Sequence, residues 1–430
     1  MRALALVDGE HYPEVVVAAL AELPYEFVGA VMLGGSEKLR GKPDYGVPVW
    51  DALEDALAEV GADVVVDLSD EPVVGPRRRF RLASRALASG MPYVGADFRL
   101  DPVPFMRYPQ PALAVIGTGK RVGKTAVAGH VARLLAQSRE VVVVAMGRGG
   151  PAEPVVMEAS PTLADLLALS RSGTHAASDY LEDAALAGVV TVGARRCGGG
   201  LAGAPSFSNV EEAATLAASH GPDLVILEGS GAAVPPVEAA RRILVAGAQQ
   251  APETLTDYLG AYRLFLSDLV VLTMCEEPAA TGDQVESLRA AIAEVDPELP
   301  VVPTVLRPRP VEPVAGRKVA FFSTAPEAFH DRLREHLERE HEADVVLVSG
   351  SLARREALRA ELDSPAVREA EVLLVEIKAA AIDVVAEAAD ARGVQVVFAD
   401  NEVRPLAGRA ALDDRLLALA DAVTTERVIA

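Results

Sequence analysis

The run GTGKRVGKT, residues 117–125, lies between a Val/Ile-rich strand, ALAVIG, and a helix, AVAGHVARLLAQ. In that setting a glycine-rich turn exposes backbone N–H groups to phosphate oxygens, and the helix N-terminus adds the positive end of its dipole. Lys124 can reach the β and γ phosphates of a nucleoside triphosphate, and the Thr125 hydroxyl can hold Mg2+. The residue types and their order therefore predict a triphosphate loop made of Gly117, Thr118, Gly119, Lys120, Arg121, Val122, Gly123, Lys124, Thr125 and Ala126. The spacing departs from the strict G-x-x-x-x-G-K-[ST] pattern: Thr118 stands where the first glycine belongs, and Gly117 comes one residue early. Lys120 and Arg121 either add charge near the γ-phosphate or point to solvent.

Three further groups fit such a loop. DLVILEGSGAAVPP, from Asp223, reads as a buried strand ending in Glu228, followed by a small-residue turn at Gly229, Ser230 and Gly231. A carboxylate at the carboxyl end of a strand beside a phosphate loop is placed to bind Mg2+ or orient water, so Glu228 is the metal candidate together with Thr125. The plainer reading is a strand-end acid bound by turn amides. EVVVVAMGRGGPAEP puts Arg148 in a Gly-rich turn, and VGARRCGGGLAG puts Arg195 and Arg196 before three glycines. Arginine forks on tight turns grip phosphate or carboxylate, so these arginines and Ser230 make a candidate anion site, with Lys124, Arg148 and Glu228 as the catalytic set. VDGEHYP, residues 7–13, packs Asp8, Glu10 and His11 onto the end of the first strand, again at the ligand-facing edge.

Other charged runs have plainer roles. The arginines of GPRRRFRLASR, Arg77, Arg78, Arg79, Arg81 and Arg85, spread over more than one helix face, so a solvated face paired with acids is expected, with one or two at a domain interface. His330, His336 and His341 follow a solvent-face spacing and are assigned no metal. Lys378 and Asn401 sit near strand ends and read as structural.

The elements that position these groups alternate. Short Val-rich runs alternate with longer Ala/Leu/Glu/Arg stretches of helical period, the rhythm of βα units and parallel sheets. Two proline-rich links, DPVPFMRYPQP and VLRPRPVEP, interrupt it, because proline neither donates to a ladder nor continues a helix. The expected fold is therefore α/β: a central P-loop NTPase domain with a parallel sheet, residues 109–310, flanked by two Rossmann-like α/β domains, residues 1–108 and 311–430. The 430 residues carry a net charge of −21, which disfavours nucleic acid and anionic membranes as partners and requires any anionic ligand to find a local basic pocket. No apolar run reaches membrane-spanning length, and the two cysteines, Cys197 and Cys275, have no CxxC spacing, so a reducing cytoplasm is the expected setting. A homo-oligomer is left open.

Taken in order, VDGEHYP, GTGKRVGKT, MGRGGP, GARRCGGGLAG, SNVEEAA, EGSGAAVPP and the late VEIKAAAIDVV and VVFADN resemble the cyclic 2,3-diphosphoglycerate synthetase family, from about residue 1 to about 405. The shifted loop and the EGSG run are also similar to dethiobiotin synthetase. The resemblance implies an enzyme that uses ATP and a divalent metal to close 2,3-diphosphoglycerate into a cyclic phosphoanhydride, releasing ADP and phosphate. It implies a substrate lying between the first and second blocks, against Asp8, Glu10, His11, Arg148, Arg195 and Arg196. The choice of adenine rests on the resemblance, with residues 273–278 as a wall of its pocket by position. The alternatives are a P-loop kinase or ligase acting on another small acid such as 2-phosphoglycerate, and a nucleotide-dependent switch or metallochaperone. No His/Cys-rich delivery cluster accompanies the latter.

Overall fold

A computed structural model describes all residues except 36, 38–40, 42, 172–178, 378–381, 409 and 430. Lys378 thus lies outside the described residues. The Val-rich runs all form strands, but they assemble into two sheets rather than three. The first sheet runs Val49–Trp50, Glu26–Met32, Arg2–Val7, Val64–Asp67, Tyr93–Val94 and Arg99–Leu100, parallel except for its last pair. Its strand order reverses between Arg2–Val7 and Val64–Asp67, the switch point of a Rossmann-like sheet.

The second sheet holds the rest. From one edge its strands are Phe207–Ser208, Val190–Cys197, Val141–Gly147, Leu224–Glu228, Ala112–Gly117, Arg241–Gly247, Leu269–Thr273, Val301–Pro310, Gln395–Pro405, Val372–Glu376, Lys318–Phe322 and Asp344–Ser349, and Val155–Met157 pairs antiparallel with Val190–Cys197 off this path. Strands such as Ala112–Gly117 and Leu269–Thr273 are buried along their whole length, as continuous apolar runs covered on both faces must be.

The join between the expected second and third blocks corrects the sequence reading. VLRPRP is not a link but part of the ten-residue strand Val301–Pro310, despite three prolines. It pairs in parallel with Leu269–Thr273 only through Pro303, and antiparallel with Gln395–Pro405 from Thr304 onward. Val311 donates its N–H to Phe398 O, so odd-numbered residues here face the partner strand. Pro308 and Pro310 fall on the other side, where no strand waits for an N–H, which is the position where a strand tolerates proline. The C-terminal helix Ala410–Ile429 then returns to the phosphate-loop helix Lys124–Leu135, burying Leu412, Leu416, Ala420 and Val423 in the same core as Val127 and Val131.

Two charged helices also differ in part from expectation. In Pro76–Ala88, Arg77 pairs with Asp257 at 2.8 Å, Arg81 donates to Glu294 O at 3.3 Å, and the Arg85 guanidinium lies 3.8 Å above the Phe265 ring. Within the first block, Arg79 pairs with the buried Asp67 at 2.8 Å and Arg85 with Glu54 at 2.9 Å. Arg77 and Arg78 are exposed, and Arg77 and Arg85 pair with acids as expected, while Arg77, Arg81 and Arg85 also reach across the seam between the first sheet and the central block. In His330–His341, His336 is buried, because the helix lays that face on the strands Val301–Pro310 and Asp344–Ser349. No described helix is long and apolar enough to cross a membrane.

Candidate functional site

The strand order places the chemistry. Strands Val190–Cys197, Val141–Gly147, Leu224–Glu228 and Ala112–Gly117 are neighbours in that order, all parallel. Their carboxyl ends therefore present Arg196, Arg148, Glu228 and the phosphate loop side by side, at the strand spacing of about 4.8 Å. Register matches across them: Glu228 pairs with Val115 on one side and Ala145 on the other, and Arg195 pairs with Gly147.

Lys124 is the first residue of its helix and is buried; its Nζ donates to Glu228 Oε1 at 3.0 Å, and Thr125 Oγ1 donates to the same oxygen at 3.0 Å. Burial works against the Lys124 ammonium, but Glu228, with Asp179 and Asp183 behind it, outweighs that and raises its pKa. Glu228 is wholly buried, and no N–H or hydroxyl donates to its Oε2. Beside it, burial and then the Glu228 carboxylate push the Asp183 carboxyl well above the usual range. The shifted loop has a local cause. A Cβ at position 117 would meet Gly231 O at 3.1 Å, whereas the Thr118 hydroxyl is accommodated, donating to Gln250 Oε1 at 2.5 Å.

A cavity of about 520 Å3 opens over the loop, lined by residues 119–126 together with Gly147, Arg148, Gly149, Asp179, Glu182, Ser230, Gly231, Leu306 and Asn401. Lys120 and Arg121 both line it, and both are exposed. A second cavity of about 500 Å3 adjoins it, lined by Arg148, Arg196, Cys197, Gly198, Gly199, Gly200, Ala232 and Ala233. Arg148 belongs to both. Arg196 is buried; its Nη2 donates to Ser230 O at 2.7 Å and its Nε has no partner. Burial, then the charge of Arg148, depress its pKa, the mark of two cations sharing a pocket without full neutralisation. Gly231, at φ +58°, makes this approach possible, since a Cβ there would lie 2.8 Å from Arg148 Nη2.

Not every expected residue joins them. Arg195 and Arg196 are successive residues of one strand and so point to opposite faces. Arg195 lies near the Phe207 ring, 5.6 Å from its centroid, and lines neither cavity. Asp8 is wholly buried, accepting from the Glu10 N–H and from His11 Nδ1 at 2.9 Å and from the Asp70 N–H at 2.6 Å; with Glu10 and His11 it closes the switch point of the first sheet and lines neither cavity. Thr273 is buried below the loop, donating to Val122 O at 2.7 Å, so it supports the loop from beneath. Conversely, the sequence reading passed over Asp179 and Glu182. Asp179, with Glu182 and Asp183 three and four residues on and hence on one face of Asp179–Ala187, was the available signal.

Models of three domains match in succession: cyclic 2,3-diphosphoglycerate synthetase, N-terminal domain, over residues 2–101; its P-loop domain over residues 112–305; and its C-terminal domain over residues 310–402. The chain belongs to the cyclic 2,3-diphosphoglycerate synthetase family. It is 52% identical to cyclic 2,3-diphosphoglycerate synthetase of Rubrobacter xylanophilus, over 98% of each chain. It is 42% identical to that of Methanothermus fervidus, over 93% of this chain and 92% of the relative. Among solved structures, LpxK from Aquifex aeolicus in complex with ATP is similar over 74% of this chain and 90% of that one, at 14% identity and a TM-score of 0.42. All lining residues of both cavities fall within the family's P-loop domain except Leu306 and Asn401.

Proposed function

We propose that this protein uses ATP to close 2,3-diphosphoglycerate into cyclic 2,3-diphosphoglycerate, releasing ADP and phosphate. The observation that carries this reading is Arg148, which lines the phosphate-loop cavity and the adjoining cationic cavity alike. A triphosphate in one and a phosphorylated acid in the other meet on a single guanidinium. In the first step a phosphate oxygen of the acid attacks the γ-phosphorus of ATP, and the bond to the β–γ bridging oxygen breaks, with ADP as leaving group. The acid then carries a pyrophosphoryl group. In the second step an oxygen of its other phosphate attacks the inner phosphorus of that group, and inorganic phosphate leaves as the anhydride ring closes. Both steps bring anions together, so orientation and charge neutralisation are the protein's main tasks.

In this reading Lys124 binds the β and γ phosphates, Arg148 bridges donor and acceptor, and Arg196, with Ser230 beside it, holds the acid. Asp8, Glu10, His11 and Arg195 are left out of the proposed contacts. Thr125 and Glu228 fit Mg2+: both offer oxygen ligands, and Glu228 is a carboxylate at the strand end beside the phosphate loop, sharing Oε1 with the Thr125 hydroxyl. Among the described residues no three of His, Cys, Asp and Glu are grouped to hold a metal, which accords with an ion that draws its remaining ligands from phosphate and water. When bound, Mg2+ would neutralise charge on the transferring phosphoryl group. The proposed division of labour follows the boundaries 1–108, 109–310 and 311–430, in a reducing cytoplasm that suits the free thiols of Cys197 and Cys275.

Incubation with ATP, Mg2+ and 2,3-diphosphoglycerate, followed by phosphorus NMR, tests the reading. ADP should appear only with the acid present, together with a growing anhydride resonance. A phosphorylated acid that accumulates without ring closure would assign a kinase instead. Full ring closure by an Arg148→Ala/Arg196→Ala double variant would overturn the placement of the substrate.

A further inference from the structure

The C-terminal strand Gln395–Pro405 reaches the phosphate loop through Asn401, which lines the cavity beside Lys124 and Thr125. None of the steps above uses it. Its amide is held: Nδ2 donates to Glu376 Oε1 at 3.2 Å. Glu376 is itself buried, and its Oε2 accepts from the Thr324 N–H at 3.1 Å and the Thr324 hydroxyl at 3.3 Å. A carboxylate accepts and does not donate, so it dictates which way the Asn401 amide turns. Oδ1 and the second N–H are left for the cavity.

The strand that carries Asn401 is fastened to the nucleotide-binding helix. On the face opposite Asn401, the buried Asp400 accepts from Arg133 Nη2, on the phosphate-loop helix, and from Arg309 Nη2, each at 2.9 Å. On the paired strand, Leu306 Cδ1 stands 3.1 Å from where a Cβ on Gly123 would be. Asn401 pairs with Pro308 in the ladder between the two strands. The amide is thus locked in direction by Glu376 and in position by the Asp400 clasp, the preorganisation expected of a ligand-contacting group.

We infer that Asn401 is a nucleotide-contacting residue, oriented by Glu376, through which the C-terminal domain completes the ATP site. The inference rests on the loop's binding of nucleotide and not on which acid is phosphorylated. It is therefore tested with the full chain and ATP alone, by calorimetric titration, so that its failure is distinct from failure of the cyclisation reading. Asn401→Leu keeps the volume and removes the hydrogen bonds; Asn401→Ala removes both, and melting temperature reports folding. Both should bind ATP about tenfold or more weakly, the scale of one lost hydrogen bond to a charged or polar ligand. Inorganic triphosphate serves as a second probe: a matching loss places the contact on the phosphates, and a loss confined to ATP places it on the nucleoside. Glu376→Gln keeps the size but offers one acceptor oxygen to two donors, Asn401 Nδ2 and the Thr324 N–H, so its affinity should fall part of the way, and Glu376→Ala should fall towards Asn401→Ala. ATP affinity within about twofold of the parent in both folded Asn401 variants would overturn the inference.

Discussion

Glu228 organises the candidate site because a single carboxylate oxygen accepts from both Lys124 and Thr125. A triphosphate arriving at the loop must draw Lys124 away from it, so the acid both holds the lysine in reach and keeps it charged. Glu228→Gln keeps the shape and removes the anion; turnover should fall about a hundredfold, the scale of losing one preorganised electrostatic group, as followed by ADP release. Turnover within a few-fold of the parent would make Glu228 a structural acid. Arg196 separates the two cavities experimentally, since it lines only the second. Arg196→Ala should raise KM for the phosphorylated acid about tenfold or more, with KM for ATP little changed. An equal rise in both would place the acid elsewhere. Arg196 was legible as an arginine on a Gly-rich turn, but its separation from Arg195 was not. A reading of residue types treats neighbours as a pair, whereas the pleat of Val190–Cys197 sends them to opposite faces.

At the scale of elements, the helix His330–His341 carries the most testable consequence of burial. Burial, then the charges of Arg404, His341 and Arg307, push the His336 imidazole down to about 4, and neither ring nitrogen has a partner. The unfolded chain takes up a proton near the ordinary histidine value of about 6.5, while the folded one stays neutral until lower pH. Between those values the unfolded state binds more protons, so stability falls as pH drops from about 6.5 to about 4. His336→Leu should flatten that fall, seen as a smaller loss of melting temperature between neutral and mildly acid buffer; an unchanged pH dependence would show that other groups govern it. The spacing of the three histidines suggested a solvent face because period alone says which residues share a side, not which side the rest of the fold covers. The same limit explains Pro76–Ala88, three of whose arginines reach across a seam, and Val301–Pro310, whose prolines are harmless only because Pro308 and Pro310 face away from the ladder.

For the whole molecule, the shared sheet is the main consequence. Ala112–Gly117, Val301–Pro310 and Gln395–Pro405 belong to one hydrogen-bonded surface, and the C-terminal helix seals the core behind the phosphate-loop helix. The central and C-terminal blocks should therefore open together. Hydrogen exchange under native conditions should give amides of residues 113–116 and 396–399 similar opening free energies; a much lower value for residues 396–399 would mean that the C-terminal block opens separately. The net charge of −21 leaves room for two locally cationic cavities: Lys120, Arg121, Lys124 and Arg148 outnumber Asp179 and Glu182 in the first, and Arg148 and Arg196 line the second without an acid. The sequence by itself determined what depends on local order: the α/β rhythm, the phosphate loop with its shifted glycine, the strand-end Glu228 and the family to which these motifs belong. Only the tertiary structure decided what depends on which strand lies beside which. It joined Arg148 and Arg196 over Glu228, drew Asp179, Glu182 and Asn401 to the cavity, and kept Asp8, Glu10 and His11 apart from it. Strand order is set by packing between residues hundreds of positions apart, and no local pattern carries that information.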